Sequence, residues 1–429
     1  MKKTGLAALL MALCLMLCAC AASGGGKEQK STLPEKESLT IAIASDLHYL
    51  SPALTDNGPL FQEVVAWGDG KLMLDIEAIT EAFTEQMIAE RPDLLILSGD
   101  LSFNGEYRSH VDLAEKLRRI KAAGVQVLVL PGNHDISVPM TVRFEGESYE
   151  RVENTDAQQF RALYSEFGPS DALSVDELSG SYVYAPCEGL RIMMLDTNSY
   201  IGNIFPEKSF SWLEEQLKEA KIDGAQVITA SHQNLLAHNN LFISGYRISN
   251  GMELEVLLKN YGVLAHFSGH MHIQHAAEDG IIEVLTSPLS LPPCRYGLLC
   301  WAPDSLSYEA RNVDVSAWAK NQGLTEEKLL RFDEYARESF YQNSYRQILT
   351  SYAQSDLSAE SIERLARCFA ETNLAYFTGE LLDREKLSEE LAFWVETTGE
   401  GMETAYLRSI LLDDAPNPLK IDFYARESG

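Results

Sequence analysis

Leu94-Leu95-Ile96-Leu97-Ser98-Gly99-Asp100 and Val125-Gln126-Val127-Leu128-Val129-Leu130-Pro131-Gly132-Asn133-His134-Asp135 decide how this chain folds. Each is a short, nearly unbroken apolar run that stops at a glycine and then presents polar side chains. A run of this kind suits a strand buried on both faces, as in a sheet covered by helices. The polar residues then fall at the strand's carboxyl end, where open α/β sheets place their ligand-binding loops. Outward from these two stretches, similar runs occupy 39–45, 192–195, 227–230, 263–267 and 281–285, with helical periodicity over 79–89 and 111–122. Strands alternating with helices predict an α/β layered fold. Two more strand-like runs, 296–301 and 306–313, close the pattern. Beyond Ser316 the period becomes helical over 325–351, 359–378, 383–397 and 400–411, which predicts a smaller all-helical C-terminal domain over 314–429. Its many aromatics, Phe369, Tyr376 and Phe377 among them, read first as packing between helices.

Five polar clusters follow such runs in order: Asp46-Leu47-His48, Gly99-Asp100, Gly132-Asn133-His134-Asp135, Ser231-His232 and Gly269-His270-Met271-His272. Asp-x-His and His-x-His in extended chain would set two ligands on one side, since side chains alternate with a period of two. A single Gly-Asp is usually a turn, and a lone His is usually structural. The set carries more weight, because six of the nine histidines fall in or beside these loops. Mixed nitrogen and oxygen donors suit Mn, Fe or Zn better than Mg or Ca.

In order and spacing the five clusters resemble the calcineurin-like metallophosphoesterases, and in wording they stand nearest the class III cyclic-nucleotide phosphodiesterases and their bacterial lipoprotein relatives. The resemblance covers about residues 39–313 and implies a layered mixed β-sheet sandwich flanked by helices. It also implies two divalent or mixed-valence transition metal ions. Asp46, His48 and His272 would bind one, Asn133, His232 and His270 the other, with Asp100 bridging and His134 as the catalytic histidine. A bridging carboxylate between two cations lets a trapped water act as hydroxide near neutral pH, and a protonated His134 would serve as general acid to the leaving oxygen. Asp135 is a catalytic partner behind His134 or a helix N-cap. Asn104, His238 and Arg247 lie on loops after ligand positions and are candidates for substrate contact, or ordinary loop residues. The segment 51–71, with Phe61 and Trp67, is a lid or a cover for the sheet edge.

Two departures narrow the substrate. Gly99-Asp100-Leu101-Ser102-Phe103-Asn104-Gly105 lacks the second Asp and the Arg of the protein serine/threonine phosphatases, and no second α/β module of the 5′-nucleotidase kind follows. A small phosphodiester such as a cyclic nucleotide is the leading expectation. A broad phosphomonoesterase, or a lipoprotein that captures ligands through metals without turnover, are the alternatives.

The 429 residues carry a net charge of −28, which disfavours general nucleic-acid binding and favours small substrates. Lys2 and Lys3 precede an apolar run that ends near Ala22, shorter than a spanning helix needs. Leu17-Cys18-Ala19-Cys20 resembles a bacterial lipobox. That likeness predicts a signal peptide over 1–19, a lipidated Cys20 with a flexible spacer to residue 38, and an exported chain on the outer face of the cytoplasmic membrane. The lipid is then the chain's membrane contact. Cys187, Cys294, Cys300 and Cys368 remain, either partly paired, with Cys294 and Cys300 nearest, or free.

Overall fold

The computed structural model describes residues 33–425. The expected leader 1–19, Cys20 and the spacer up to residue 32 lie outside the described residues. Among those described, no helix is long and apolar enough to cross a membrane.

Two mixed sheets form the body. The first runs Lys420–Ala425, Ser305–Asn312, Arg295–Ala302, Leu39–Ala44, Leu94–Ser98 and Gln126–Leu130 in spatial order. Leu39–Ala44 pairs parallel with Leu94–Ser98 and antiparallel with Arg295–Ala302. The second sheet runs His275–Glu278, Ile282–Leu285, Ala265–Ser268, Gln226–Ala230, Leu190–Met194, Tyr182–Cys187 and Ser174–Val175.

Alternation along the strands sorts the core into layers. Ile41, Ile43, Leu94, Ile96 and Leu128 face Ile192, Met194, Ile228, Ala265 and Phe267 between the sheets. Their neighbours Ala42, Ala44, Leu95, Leu97 and Val127 point outward, against helices Ile76–Glu90 and Tyr107–Ala122. Met193, Val227 and Val183 do the same beneath helices Ser209–Asp223 and Gly251–Asn260. Strands with apolar residues on both faces need both covers, hence the uninterrupted apolar runs.

The segment 51–71 is built into this body rather than swung over it. Its helix Pro59–Ala66 sinks Phe61 beside Phe103 and Phe144, while Trp67 stays exposed.

Several strands escape the sequence reading. Tyr182–Cys187 carries Pro186 and a bulge, and Val142–Glu145 with Ser148–Arg151 is a largely exposed hairpin. The expected helix over 325–351 is two, Glu327–Leu330 and Phe332–Tyr352, parted at Arg331. The segment 314–429 is helical from Val315 to Leu411, but its end differs from the expectation. Lys420–Ala425 returns to the first sheet beside Ser305–Asn312, inserting Ile421 into the intersheet core. The helices pack a core of their own on Met271, Ile273 and Leu285, so the tail rests against the His-x-His loop. The four cysteines 187, 294, 300 and 368 are free thiols, with Cys300 exposed.

Candidate metal centre

The strand ends bring the expected ligands into two clusters that share one residue. Donor atoms of Asp46, His48, Asp100 and His272 lie within 4.8 Å of one another, and so do those of Asp100, His232 and His270. In the first, His272 Nε2 stands 3.3 Å from Asp46 Oδ1 and 3.3 Å from His48 Nε2. Asp100 Oδ2 lies 3.7 Å from His48 Nε2 and 3.3 Å from His232 Nε2, so one carboxylate oxygen faces both clusters. Asn133 Oδ1 completes the second cluster, 3.0 Å from His232 Nε2. Donors around one ion at about 2.1 Å sit about 3.0 to 3.6 Å apart, so most of these spacings suit two metal ions held side by side, with Asp100 placed to reach both.

Three of these imidazoles have their remaining nitrogen tied down. His232 Nδ1 meets the Ser98 carbonyl at 2.9 Å, His270 Nε2 meets the Gly245 carbonyl at 2.9 Å, and His272 Nδ1 meets Asp69 Oδ2 at 3.2 Å. Such outer bonds fix the tautomer and leave the inner nitrogen as a lone pair aimed at the site. Burial opposes ionisation of Asp46 and Asp100, yet His272 beside the one and His232 beside the other hold both well below the usual carboxylate range. Burial likewise opposes charge on His232, but Asp100 holds its imidazole up to about 9. Two buried, ionised carboxylates among imidazoles form the negative cradle a cation requires.

How the loops achieve this differs from the extended geometry expected. Asp46, His48, Asp100, His270 and His272 all have positive φ, between 47° and 67°. The paired ligands of Asp-x-His and His-x-His therefore converge through left-handed turns, not through strand alternation. Such conformations cost roughly 1 kcal/mol or more per residue and persist where surrounding structure holds them. The glycines explain the close fit. A Cβ on Gly269 would run into the side chains of Ser45 and Asp46, and one on Gly132 into Asp100.

His134 sits beside the clusters, its ring edge-on to His48 at 4.9 Å between centroids. Its Nδ1 bonds the Phe103 carbonyl at 3.0 Å and Asn104 Oδ1 at 2.9 Å, leaving Nε2 free. Its backbone N–H donates to Asp100 Oδ1 at 2.8 Å. Asn104, expected near substrate, thus holds the His134 ring. Asp135 caps no helix. It is fully buried and accepts from the backbone N–H groups of Leu101, Ser102 and Gly132 at 2.7 to 3.1 Å, pinning the loop after Leu94–Ser98 to the loop after Gln126–Leu130.

The other two substrate candidates are engaged elsewhere. His238 is buried against His275 and Glu283, and Arg247 is held by the Leu235 carbonyl and Glu255. Following a ligand in sequence did not place them at the centre, because Glu283 and Glu255 hold their side chains. Conversely, Asp69 and Lys71 were not singled out in the sequence. They end the 51–71 segment, where no strand-end signal marks them, yet Asp69 reaches His272 and pairs with Lys71 at 2.5 Å.

Residues 39–274, more than half of the chain, match the model of the calcineurin-like phosphoesterases. The chain belongs to this family. Residues 314–417 match a second model, the C-terminal domain of cyclic nucleotide phosphodiesterase. This calcineurin-like phosphoesterase is therefore a metal-dependent phosphoesterase of the dimetal kind, with a mixed α/β catalytic fold and a helical C-terminal region. Among solved structures it is similar to a dimetal phosphatase from Danio rerio, at 15% identity and TM-score 0.46 over 64% of this chain and 96% of that one. It is also similar to a purple acid phosphatase from yellow lupin (Lupinus luteus) seeds, at 14% identity and TM-score 0.40 over 65% and 52%. A search among curated proteins returns no match.

Proposed function

We propose that this calcineurin-like phosphoesterase is a phosphodiesterase acting on small phosphodiesters, cyclic nucleotides among them. In this reading Asp46, His48 and His272 hold one divalent ion, Asn133, His232 and His270 the other, and Asp100 both. The ions, Mn, Fe or Zn, would supply Lewis acidity toward the phosphoryl oxygens and an acidified water. The protein's own part is positional. Asp100 fixes the spacing of the two sites through one oxygen and orients the His134 backbone through the other. The Phe103 carbonyl and Asn104 keep the His134 proton on Nδ1, so that Nε2, once protonated, can deliver a proton to the departing oxygen.

The observation that carries the diester reading is the shortage of extra positive charge. Lys71, the cation next to His272, is spent on Asp69. A monoester dianion needs more countercharge than a diester monoanion, so a centre whose neighbouring lysine is already paired favours the diester. The match over 314–417 supports the same direction. The chain's charge of −28 supports a small substrate over a polyanion. We place the enzyme outside the cytoplasm, exported and tethered by a lipid on Cys20 at the outer face of the bacterial cytoplasmic membrane.

The test is hydrolysis of bis(4-nitrophenyl) phosphate, a cyclic nucleotide and 4-nitrophenyl phosphate by the manganese-loaded protein. A kcat/KM for the diesters at least about tenfold above the monoester is expected, roughly 1.4 kcal/mol of transition-state preference. The reverse order would make it a phosphomonoesterase.

A further inference from the structure

His270 and His272 are only half-buried. Next to residues that touch them lies a recess of about 310 Å³, at the small end of the roughly 300 to 1,000 Å³ common for small-ligand sites. On the metal side Tyr246 packs on His270 with ring centroids 5.5 Å apart, and Asp69, bonded to His272, lines the recess. The opposite wall comes from the helical tail: Phe369, Tyr376 and Phe377 on helix Ala359–Thr378, and Tyr406 on Met402–Leu411.

The tyrosine hydroxyls and the Asn373 amide of that wall are already engaged. Tyr406 Oη donates to Asn373 Oδ1 at 2.6 Å, Asn373 Nδ2 donates to Ser344 at 2.9 Å, and Tyr376 Oη accepts from Asn239 at 3.2 Å. What remains for a ligand is mainly aromatic surface, ring faces and edges, with the Gln347 and Glu403 side chains also on the lining, and such surface gains most from another planar ring. A slot of this kind lies outside the set of residues that would act at phosphorus. It does adjoin His272 through Asp69 and His270 through Tyr246.

Resting on the phosphodiester reading, we propose that this recess is a subsite for a planar aromatic group, a nucleobase or an aryl ring, attached to the phosphate bound at the metal centre. The tail then contributes specificity, as one wall of the substrate site.

Isothermal titration of the manganese-loaded full chain tests this with three phosphonates: methylphosphonate, 2-naphthylmethylphosphonate and the isosteric phosphonate of adenosine 5′-phosphate. At least one aromatic ligand is expected to bind about tenfold or more tighter than methylphosphonate. Tighter naphthyl binding alone points to an aryl substituent, and adenosyl binding as tight or tighter points to a nucleobase. The aromatic preference is expected to fall below about threefold in Phe369→Ala. It should also fall in Gln347→Trp, which fills the recess from an exposed helix position and so spares the core. Equal affinity for all three ligands would overturn the subsite. If that protein still hydrolyses bis(4-nitrophenyl) phosphate, the phosphodiesterase reading survives the loss. A clear aromatic preference without diester hydrolysis would keep the subsite and remove that reading instead.

Discussion

Asp69 Oδ2 lies 3.2 Å from Nδ1 of His272, so a carboxylate from the segment before the first long helix orients an imidazole that arrives some two hundred residues later. The same oxygen pairs with Lys71. Outer carboxylates of this sort make an imidazole a better ligand by fixing its tautomer and raising its basicity. Asp69→Ala is expected to weaken binding at the site of Asp46, His48 and His272 by about 10- to 100-fold, with the second site much less affected. Titration of the metal-free protein with Mn or Zn reads both affinities. Two unchanged affinities would show that Asp69 does not support His272.

Gly269 has no room for a side chain, because the Ser45 and Asp46 side chains occupy the place of its Cβ. Gly269→Ala must push Asp46 out of position, at roughly 1 to 3 kcal/mol of overpacking. The expected result is a lower denaturant midpoint together with loss of one of two bound metals. A variant with full metal content and parental stability would refute the close approach.

Glu283 supplies a pH dependence remote from the metal centre. Its carboxylate is buried and accepts from the Leu235 N–H at 2.9 Å, the Leu236 N–H and the Ser268 hydroxyl, with His238 at 3.1 Å and His266 at 3.8 Å. Burial pushes its pKa up, but His238 first and then His266 and Ser268 outweigh that and bring it from 4.5 down to about 2. A depressed folded-state pKa stabilises the fold above the unfolded value and ceases to do so as pH falls through the folded one. The part carried by the hydrogen bonds from Leu235, Leu236 and Ser268 is therefore present at pH 7 and disappears between about pH 4.5 and 2. Glu283→Gln should cost stability at pH 7 and cost progressively less as pH falls through that window, as measured by urea unfolding. A difference between the two proteins that stays constant from pH 7 to 3 would contradict the assignment.

Much of the centre is legible in the sequence because the break from apolar strand to polar loop is local. Asp46, Asp100, Asn133, His232, His270 and His272 each follow such a break, and the structure brings them together. What the local signal hides is direction. His238 and Arg247 come after a ligand as Asn104 does, though further along the chain, but only a folded chain shows that Glu283 and Glu255 take them. The left-handed backbone at five ligand residues is largely hidden too, since Asp and His mark positive φ far more weakly than glycine does. Lys420–Ala425 went unread for a different reason. It is an edge strand whose partner lies more than a hundred residues back, so its burial comes from tertiary contact rather than from a continuous apolar run.

The most direct measurement of the central claim is metal content and bis(4-nitrophenyl) phosphate turnover on the same preparations of the parent and His134→Ala. His134 presents a free Nε2 beside the clusters without belonging to either of them. The account therefore expects two metals per chain in both proteins, and a kcat lower by about 10²- to 10⁴-fold in the variant. A parent that holds two metals yet hydrolyses no phosphate ester would contradict it and leave metal-dependent ligand capture in its place.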